Sequence, residues 1–490
     1  MGEHLQSVIR TEKLRTRLFQ GCLVIGTSAI MTLAICAGNV RVLCLVMASL
    51  VALPLMGRPR GWLILVILIS ASGLKIPGAL LSMSLFDMVT AGFVVLAVLL
   101  ATQARMGFER TGAHAWLIAL AAVILVTMTV RGVGFQALGG DMIGGASYIR
   151  VYVPLALVFL IRGVPLNTFQ WRVALIGMCA ASVLPLAVDL LLANGVGWGV
   201  LENLVTVAPP QDDFITWNLI PRLFGASNFS MYFCVGLCLV IPLIRIKTLF
   251  WIGVGIALIL GGLSSHRLAI INILLFLLTL SIVRGRTRGR TPMIWGGAIV
   301  ILGAIFLSAS RLPLAMQRSL SWVPGIHISD RAAISAAETI SWRVMVWQES
   351  LREVPSYWLI GKGYAFRQMD GLFSFSDNYQ WAIVSNLYHN GPLSMLIGLG
   401  VAGLVCGIGF LGAMIRRHYV VAHSRWPDSA LQHFHRCIFA LFVTQATVFL
   451  FLYGDVQVSF PAVLFSAALL EGLVVSGKPE PLLRRDSTEL

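Results

Sequence analysis

Two arginines and a histidine are the residues of this chain best suited to chemistry. Each sits in a short polar stretch beside a membrane-length apolar run. The first stretch is Ser264-Ser265-His266-Arg267, which opens onto Leu268-Ala269-Ile270. The second is Ile340-Ser341-Trp342-Arg343, followed by Trp347, Leu351 and Val354 at helical spacing and then by Gly361-Lys362-Gly363-Tyr364. The third is Asn386-Leu387-Tyr388-His389-Asn390-Gly391-Pro392, just before the apolar run Leu393 to Ile415. A guanidinium fork donates bidentate hydrogen bonds and so suits a diphosphate. Asn390 is a good helix cap and Pro392 fits a first turn, which places His389 at a helix N-terminus. Such an end favours anions, and a neutral imidazole accepts a proton as a general base must.

Each stretch also has a plainer reading. An arginine at a membrane boundary reaches for lipid headgroups, and a histidine there can be structural. Three such groups on one side of a membrane point instead to a shared anion-handling site. The second stretch predicts an amphipathic helix on the outer membrane surface, capped by Ser341 and stopped by Pro355. Gly361 and Gly363 permit a tight turn or a close backbone approach. As a phosphate loop they are a weak signal, because no Walker pattern follows. Arg222 is a further candidate phosphate contact, with a headgroup contact as its plainer reading. Asp212 and Asp213 are adjacent and read as solvated loop charges.

The elements that must hold these residues are membrane helices. The chain has 490 residues, of which 58% are hydrophobic and 12% charged, and its mean hydropathy is +0.85. A soluble domain is nearer 25% charged. About 20 apolar residues span a bilayer as a helix. On that measure the predicted spans are 19–37, 41–57, 61–76, 86–103, 114–130, 148–162, 172–193, 228–244, 248–264, 267–283, 292–309, 387–415, 436–453 and 458–476. The fold class expected is therefore all-α and polytopic, with about 12–14 transmembrane helices and one large periplasmic loop containing short helices.

Lysine and arginine set the orientation. With the N-terminus inside, the inner side collects 23 of the 36, and Arg284, Arg286, Arg288 and Arg290 mark it most clearly. Both termini are then cytoplasmic. The chain divides into N-terminal helices over 1–309, with an outer loop at 194–227, a large outer loop over 310–386, and C-terminal helices with a tail over 387–490. The net charge of +15 is explained by topology, and no basic stretch carries a nucleic-acid motif, so no nucleic-acid partner is expected. The eight cysteines lie in or beside apolar runs with no zinc spacing. No metal site and no cofactor are expected.

In their order, the three stretches resemble the O-antigen ligase and O-antigen polymerase superfamily of bacterial membrane glycosyltransferases. The resemblance covers roughly 264–410. It rests on the serine- and arginine-led helix at Ser264 to Ile270, on Arg343, Trp347, Gly361 and Gly363 in the big loop, and on His389 and Asn390 with Gly400 and Gly403 beyond. His266 and Ile271 depart from the pattern. The resemblance implies a glycan donor on undecaprenyl diphosphate, a glycan or lipid A-core acceptor, and inverting transfer at the periplasmic face of the inner membrane without a metal. It implies Arg267 and Arg343 as diphosphate ligands and His389 as the base. Ligase and polymerase share this donor chemistry, so the residues do not separate them. A transporter or lipid flippase is the alternative from another class. It would call for charge at mid-membrane, whereas Asp87, Asp189 and Glu471 are placed near span ends by the spans above.

Overall fold

The computed structural model describes residues 59–74, 84–103, 111–134, 142–194, 223–240, 247–284, 296, 303, 307–367 and 378–479. The predicted spans 19–37 and 41–57, most of 292–309, and Arg222 lie outside them. The helices are α1 (Pro59–Ile69), α2 (Leu85–Gln103), α3 (Gly112–Arg131), α4 (Gly145–Leu160), α5 (Thr168–Ala181), α6 (Val183–Ala193), α7 (Phe224–Val240), α8 (Lys247–Leu263), α9 (Arg267–Arg284), α10 (Leu314–Leu320), α11 (Asp330–Tyr357), α12 (Asn378–Val384), α13 (Gly391–His423), α14 (Ser429–Thr447) and α15 (Phe460–Gly477). The protein is an all-α polytopic membrane protein. Seven helices among the described residues are long and apolar enough to cross a bilayer, with α5 and α6 forming one such span. The only β pairing described is two residues on each side, Met142–Ile143 (β1) against Phe366–Arg367 (β2).

The outer surfaces of the helices show why lipid is the solvent. Helix α8 exposes Leu249, Ile252, Ile256 and Ile259, one face at helical spacing. Helix α3 exposes Ile118, Leu125, Val126 and Val130. Inside, α15 is buried on nearly every side, from Phe460 to Leu473. A helix that is apolar all round belongs at the centre of a bundle.

Several boundaries differ from the sequence reading, each for a local reason. The span at 172–193 is two helices that meet at Ser182, whose hydroxyl donates to the Cys179 carbonyl at 2.6 Å. The last turn before Tyr453 is a π-helix over Val448–Leu452. The large loop holds a 28-residue helix, not only short ones. Helix α11 starts at Asp330 under a Ser329 cap, so Ser341 is interior and caps nothing. Its first turns carry Ala332, Ala333, Ala336 and Ala337, which favour helix strongly but leave little hydrophobic pattern. Pro355 does not stop it either. A proline in a final turn sacrifices one hydrogen bond near an end that frays anyway.

Helix α11 exposes Ile340, Val344, Met345 and Leu351 and packs its other face on the bundle. Its buried face carries Ala332, Ser335, Ala336, Val346 and Ser350. Val346 packs with Tyr388, Leu393, Ile397 and Ala382, so α11 is clamped against α12 and the start of α13. The chain after α11 then runs into a break in α13. Gly400 has φ 75° and ψ −178° inside that helix. The opened backbone accepts two hydrogen bonds from the strap that follows α11, Lys362 N–H to the Ile397 carbonyl at 2.7 Å and Gly363 N–H to the Gly398 carbonyl at 3.0 Å, and donates one, Val401 N–H to the Trp358 carbonyl at 2.7 Å. Gly361 and Gly363 are therefore in contact with protein backbone, and their loop spends its N–H groups there.

This seam is intolerant of side chains. A Cβ on Gly400 would sit 2.3 Å from the Leu359 carbonyl oxygen, and one on Gly361 would sit 2.2 Å from that of Gly398. A Cβ on Gly412, in the same α13, meets nothing within 4 Å. We expect Gly400→Ala to lower the thermal unfolding midpoint by the equivalent of about 2–4 kcal/mol. Gly412→Ala should hold or slightly raise it. Equal midpoints for the two variants in detergent would show that the seam does not brace the fold.

Candidate functional site

His389 lies between the loop that follows α12 and the first turn of α13. Asn390 caps that turn by accepting the Leu393 N–H at 3.1 Å. His389 itself takes φ 54°, a left-handed conformation that histidine visits more readily than most residues but still at a cost of about 1–2 kcal/mol. Asp455 holds it there. One carboxylate oxygen accepts the His389 backbone N–H at 2.8 Å. The other is 2.9 Å from His389 Nδ1. With Nδ1–H donating to the carboxylate, Nε2 is left as the acceptor of a proton. The imidazole stacks on Tyr453 at 4.7 Å and 17°, and Trp342 stands 5.3 Å away.

The Asp455 turn is itself pressed into place. Gly454 and Gly391 both lie against the Phe449 carbonyl, where a Cβ would come within 2.3 Å and 2.1 Å of the oxygen. That carbonyl belongs to the π-turn that ends α14, a feature often found at functional sites.

Arg343 reaches the same place from α11. Its guanidinium carbon is 5.4 Å from the centre of the Tyr453 ring. His389 is 4.7 Å from that same centre, which bounds the separation of guanidinium and imidazole at about 10 Å. Burial pulls the Arg343 guanidinium below its ordinary pKa, and the neighbouring Tyr453 and Asp455 oppose that pull. Arg267, at the first position of α9, donates to the Ala336 carbonyl, two turns before Arg343 on the same face of α11. The two guanidinium groups are near enough to repel each other. Among the described residues, neither has a carboxylate within ion-pair distance. Like charges placed near each other are destabilising, and an anion bound by both would offset that.

A frame of other residues holds this group. Arg318 is buried and ties α10 to both sides of the site. It donates to the Ser265 hydroxyl at 3.1 Å and to the Thr339 hydroxyl at 3.0 Å. Ser265 too is left-handed, with φ 63°. Trp347 donates its indole N–H to the Tyr388 carbonyl at 2.8 Å, which fixes α11 to the residue before His389. Arg131, the last residue of α3, donates to the Gly361 and Ile360 carbonyls at 2.9 and 3.1 Å. Asp455, Tyr453, Arg318 and Arg131 were not singled out in the sequence. Asp455 had one available signal: it is an acid in the brief polar gap between the last two spans.

The sequence candidates thus divide. Arg267, Arg343 and His389 come together at one end of the bundle. Gly361, Gly363 and Asn390 shape the backbone around them. Arg222 lies outside the described residues, although its neighbour Leu223 donates to the Ser264 carbonyl beside Arg267. Among the described residues, no group of three or more His, Cys, Asp or Glu side chains is arranged to hold a metal.

The repulsion between the arginines makes a stability test. Arg343→Met should leave the thermal midpoint of the ligand-free protein unchanged or raise it by up to about 1 kcal/mol equivalent. Arg131→Met, which strips donors from two carbonyls, should lower it by about 2 kcal/mol. A drop for Arg343→Met as large as that for Arg131→Met would mark Arg343 as structural. Compared with known protein families and with curated proteins, the chain matches none.

Proposed function

We propose that this protein is a glycosyltransferase that moves a glycan from undecaprenyl diphosphate to an acceptor hydroxyl at the periplasmic face of a bacterial inner membrane. One observation carries the reading. Among the described residues, Arg267 and Arg343 are neighbouring cations with no carboxylate at ion-pair distance, and Arg343 stands beside the His389–Asp455 pair at the end of a membrane-helix bundle. Lipid diphosphate presents its charge at this depth, and two guanidinium forks match it. The opposite end of the bundle carries Arg162, Arg172, Arg284, Arg416, Arg417, Arg425 and Arg436. That excess supports a cytoplasmic face there, with both termini on that side.

The chemistry follows from the roles. The acceptor O–H gives its proton to His389 Nε2 as its oxygen attacks the anomeric carbon of the donor sugar. The bond from that carbon to the diphosphate oxygen breaks, and its electron pair leaves with the diphosphate. Attack opposite the leaving group inverts the anomeric configuration. Asp455 holds the imidazole in its accepting tautomer and offsets the imidazolium charge that forms. Arg267 and Arg343 offset the charge that grows on the diphosphate, a role that fixed guanidinium groups fill without a metal. Transfer to a lipid A-core acceptor, as in a ligase, is the form we favour. Extension of the lipid-linked glycan, as in a polymerase, uses the same steps.

The test is glycan analysis in cells that carry variants at native protein levels. His389→Ala and Arg343→Ala should each abolish transfer, by about 10³-fold or more, and Asp455→Asn should reduce it by about 10²–10⁴-fold. Long lipid-linked polymer that accumulates, with loss of the acceptor-bound form, identifies a ligase. Single lipid-linked repeats that accumulate identify a polymerase. Unchanged glycans in all three variants would sink the reading and return weight to a transporter.

A further inference from the structure

A second polar feature lies on the other side of α11. Its last turns and α12 enclose an open groove of about 440 Å³. Glu349, Glu353, Ser356, Tyr357, Tyr379 and Gln380 line it, with Arg352 at the edge. The charges there cancel. Arg352 lies 2.8 Å from the Glu349 carboxylate, and Lys362 lies 2.9 Å from that of Glu353. A strongly anionic or cationic ligand therefore finds no net attraction. The two carboxylates already hold a guanidinium and an ammonium, so they are poor cation ligands. Carboxylate, guanidinium, hydroxyl and amide groups together line the surface, so an apolar ligand would strand them. What fits is a neutral ligand with many hydroxyls and apolar C–H faces. Hydroxyls both donate to the carboxylates and accept from the guanidinium, and tyrosine rings offer flat apolar surface with a polar tip.

We propose that this groove is a saccharide-binding subsite, an inference that rests on the glycosyltransferase reading for the origin of its ligand. The groove is connected to the reacting centre. Tyr388, the residue before His389, donates its hydroxyl to Asn386 Oδ1 at 2.7 Å and lies 3.4 Å from the Glu353 carboxylate. Glu349 is six residues beyond Arg343, which is about 9 Å along the helix axis, and Tyr357 is about 21 Å along it. A ligand that reached both places would be an oligosaccharide, with its reducing-end sugar at the arginines and later sugars across α11. The subsite then binds the glycan chain and leaves the diphosphate to Arg267 and Arg343.

The experiment uses the full chain in lipid nanodiscs and two phosphate-free probes. One is the glycan released by mild acid from the lipid-linked pool of the cells that make the protein. The other is the oligosaccharide freed from their finished glycolipid. Saturation-transfer NMR titrations should show one of them binding. Binding by the first assigns the groove to the donor glycan, and binding by the second assigns it to the acceptor. Tyr379→Ala should weaken binding about tenfold, the loss expected of one stacked ring, and Tyr379→Phe should not. Where Tyr379→Ala fails to fold, Glu349→Gln at the exposed edge should give the same direction of change. The proposal is overturned if neither probe binds, or if folded groove variants bind as tightly as the native chain. The two readings fail separately. Transfer that survives His389→Ala removes the mechanism above, while loss of probe binding in the groove variants is read without any transfer step.

Discussion

The break in α13 at Gly400 fixes the relation between the large loop and the membrane helices. A continuous helix would satisfy its own carbonyls and offer none to a neighbour. Opened at Gly400, α13 gives the Ile397 and Gly398 carbonyls to the strap after α11 and takes the Trp358 carbonyl in return. Arg131 closes the same strap from α3, through the Ile360 and Gly361 carbonyls. The strap thus has partners on two membrane helices. Helix α11 is anchored at its C-terminal end by this seam, along its middle by Val346 against Tyr388 and Ile397, and near its start by Arg267 and Arg318. Only then does Arg343 arrive beside Tyr453 with a defined orientation. The glycines are needed because backbone meets backbone here, and a side chain has nowhere to go.

Around that frame the site keeps interactions that the folded state alone does not reward. His389 and Ser265 hold left-handed conformations. Each of these costs on the order of 1 kcal/mol or more. They persist because Asp455, Arg318 and Trp347 over-determine the local backbone. Arg267 and Arg343 are like charges placed near each other. An anion held by both arginines would offset that repulsion and so couple its binding to local stability.

Much of the fold was legible because lipid exposure writes itself into composition. Apolar runs of membrane length marked the spans, and Asn390 and Pro392 marked the start of α13. The ends were less clear. The alanine-rich start of α11 carries helix propensity without a strong apolar pattern, so a cap at Ser341 in place of Ser329 makes the expected helix twelve residues too short at its N-terminus. Pro355 looked like a stop because its position relative to the helix end depends on packing. At the site, Arg267, Arg343 and His389 were visible as polar interruptions of apolar sequence. Their convergence was not, since it depends on Tyr453 and Asp455, the latter 66 residues from His389. Arg318 and Arg131 were invisible for a related reason. Their partners are backbone carbonyls and hydroxyls, which leave no mark in sequence.

The treatment of arginine elsewhere in the protein sharpens the meaning of the site. Elsewhere in the bundle two acids hold arginines, while the buried Arg318 is held by hydroxyls. Glu471, wholly buried in α15, receives Arg417 at 3.2 Å and Arg162 at 3.8 Å, and His418 at 3.2 Å completes its shell. Asp87 receives Arg150 at 3.7 Å. A buried charge left without such a partner is strongly destabilising. At Arg343 a partner is instead the face of Tyr453, and the nearby carboxylate, Asp455, is committed to the backbone N–H and Nδ1 of His389. The acid is present, close by, and turned to the histidine. An arrangement selected for stability alone would aim that carboxylate at the guanidinium. Aimed at the imidazole, it fixes the orientation of the ring and leaves Arg343 on the face of Tyr453, the arrangement on which the proposed function rests.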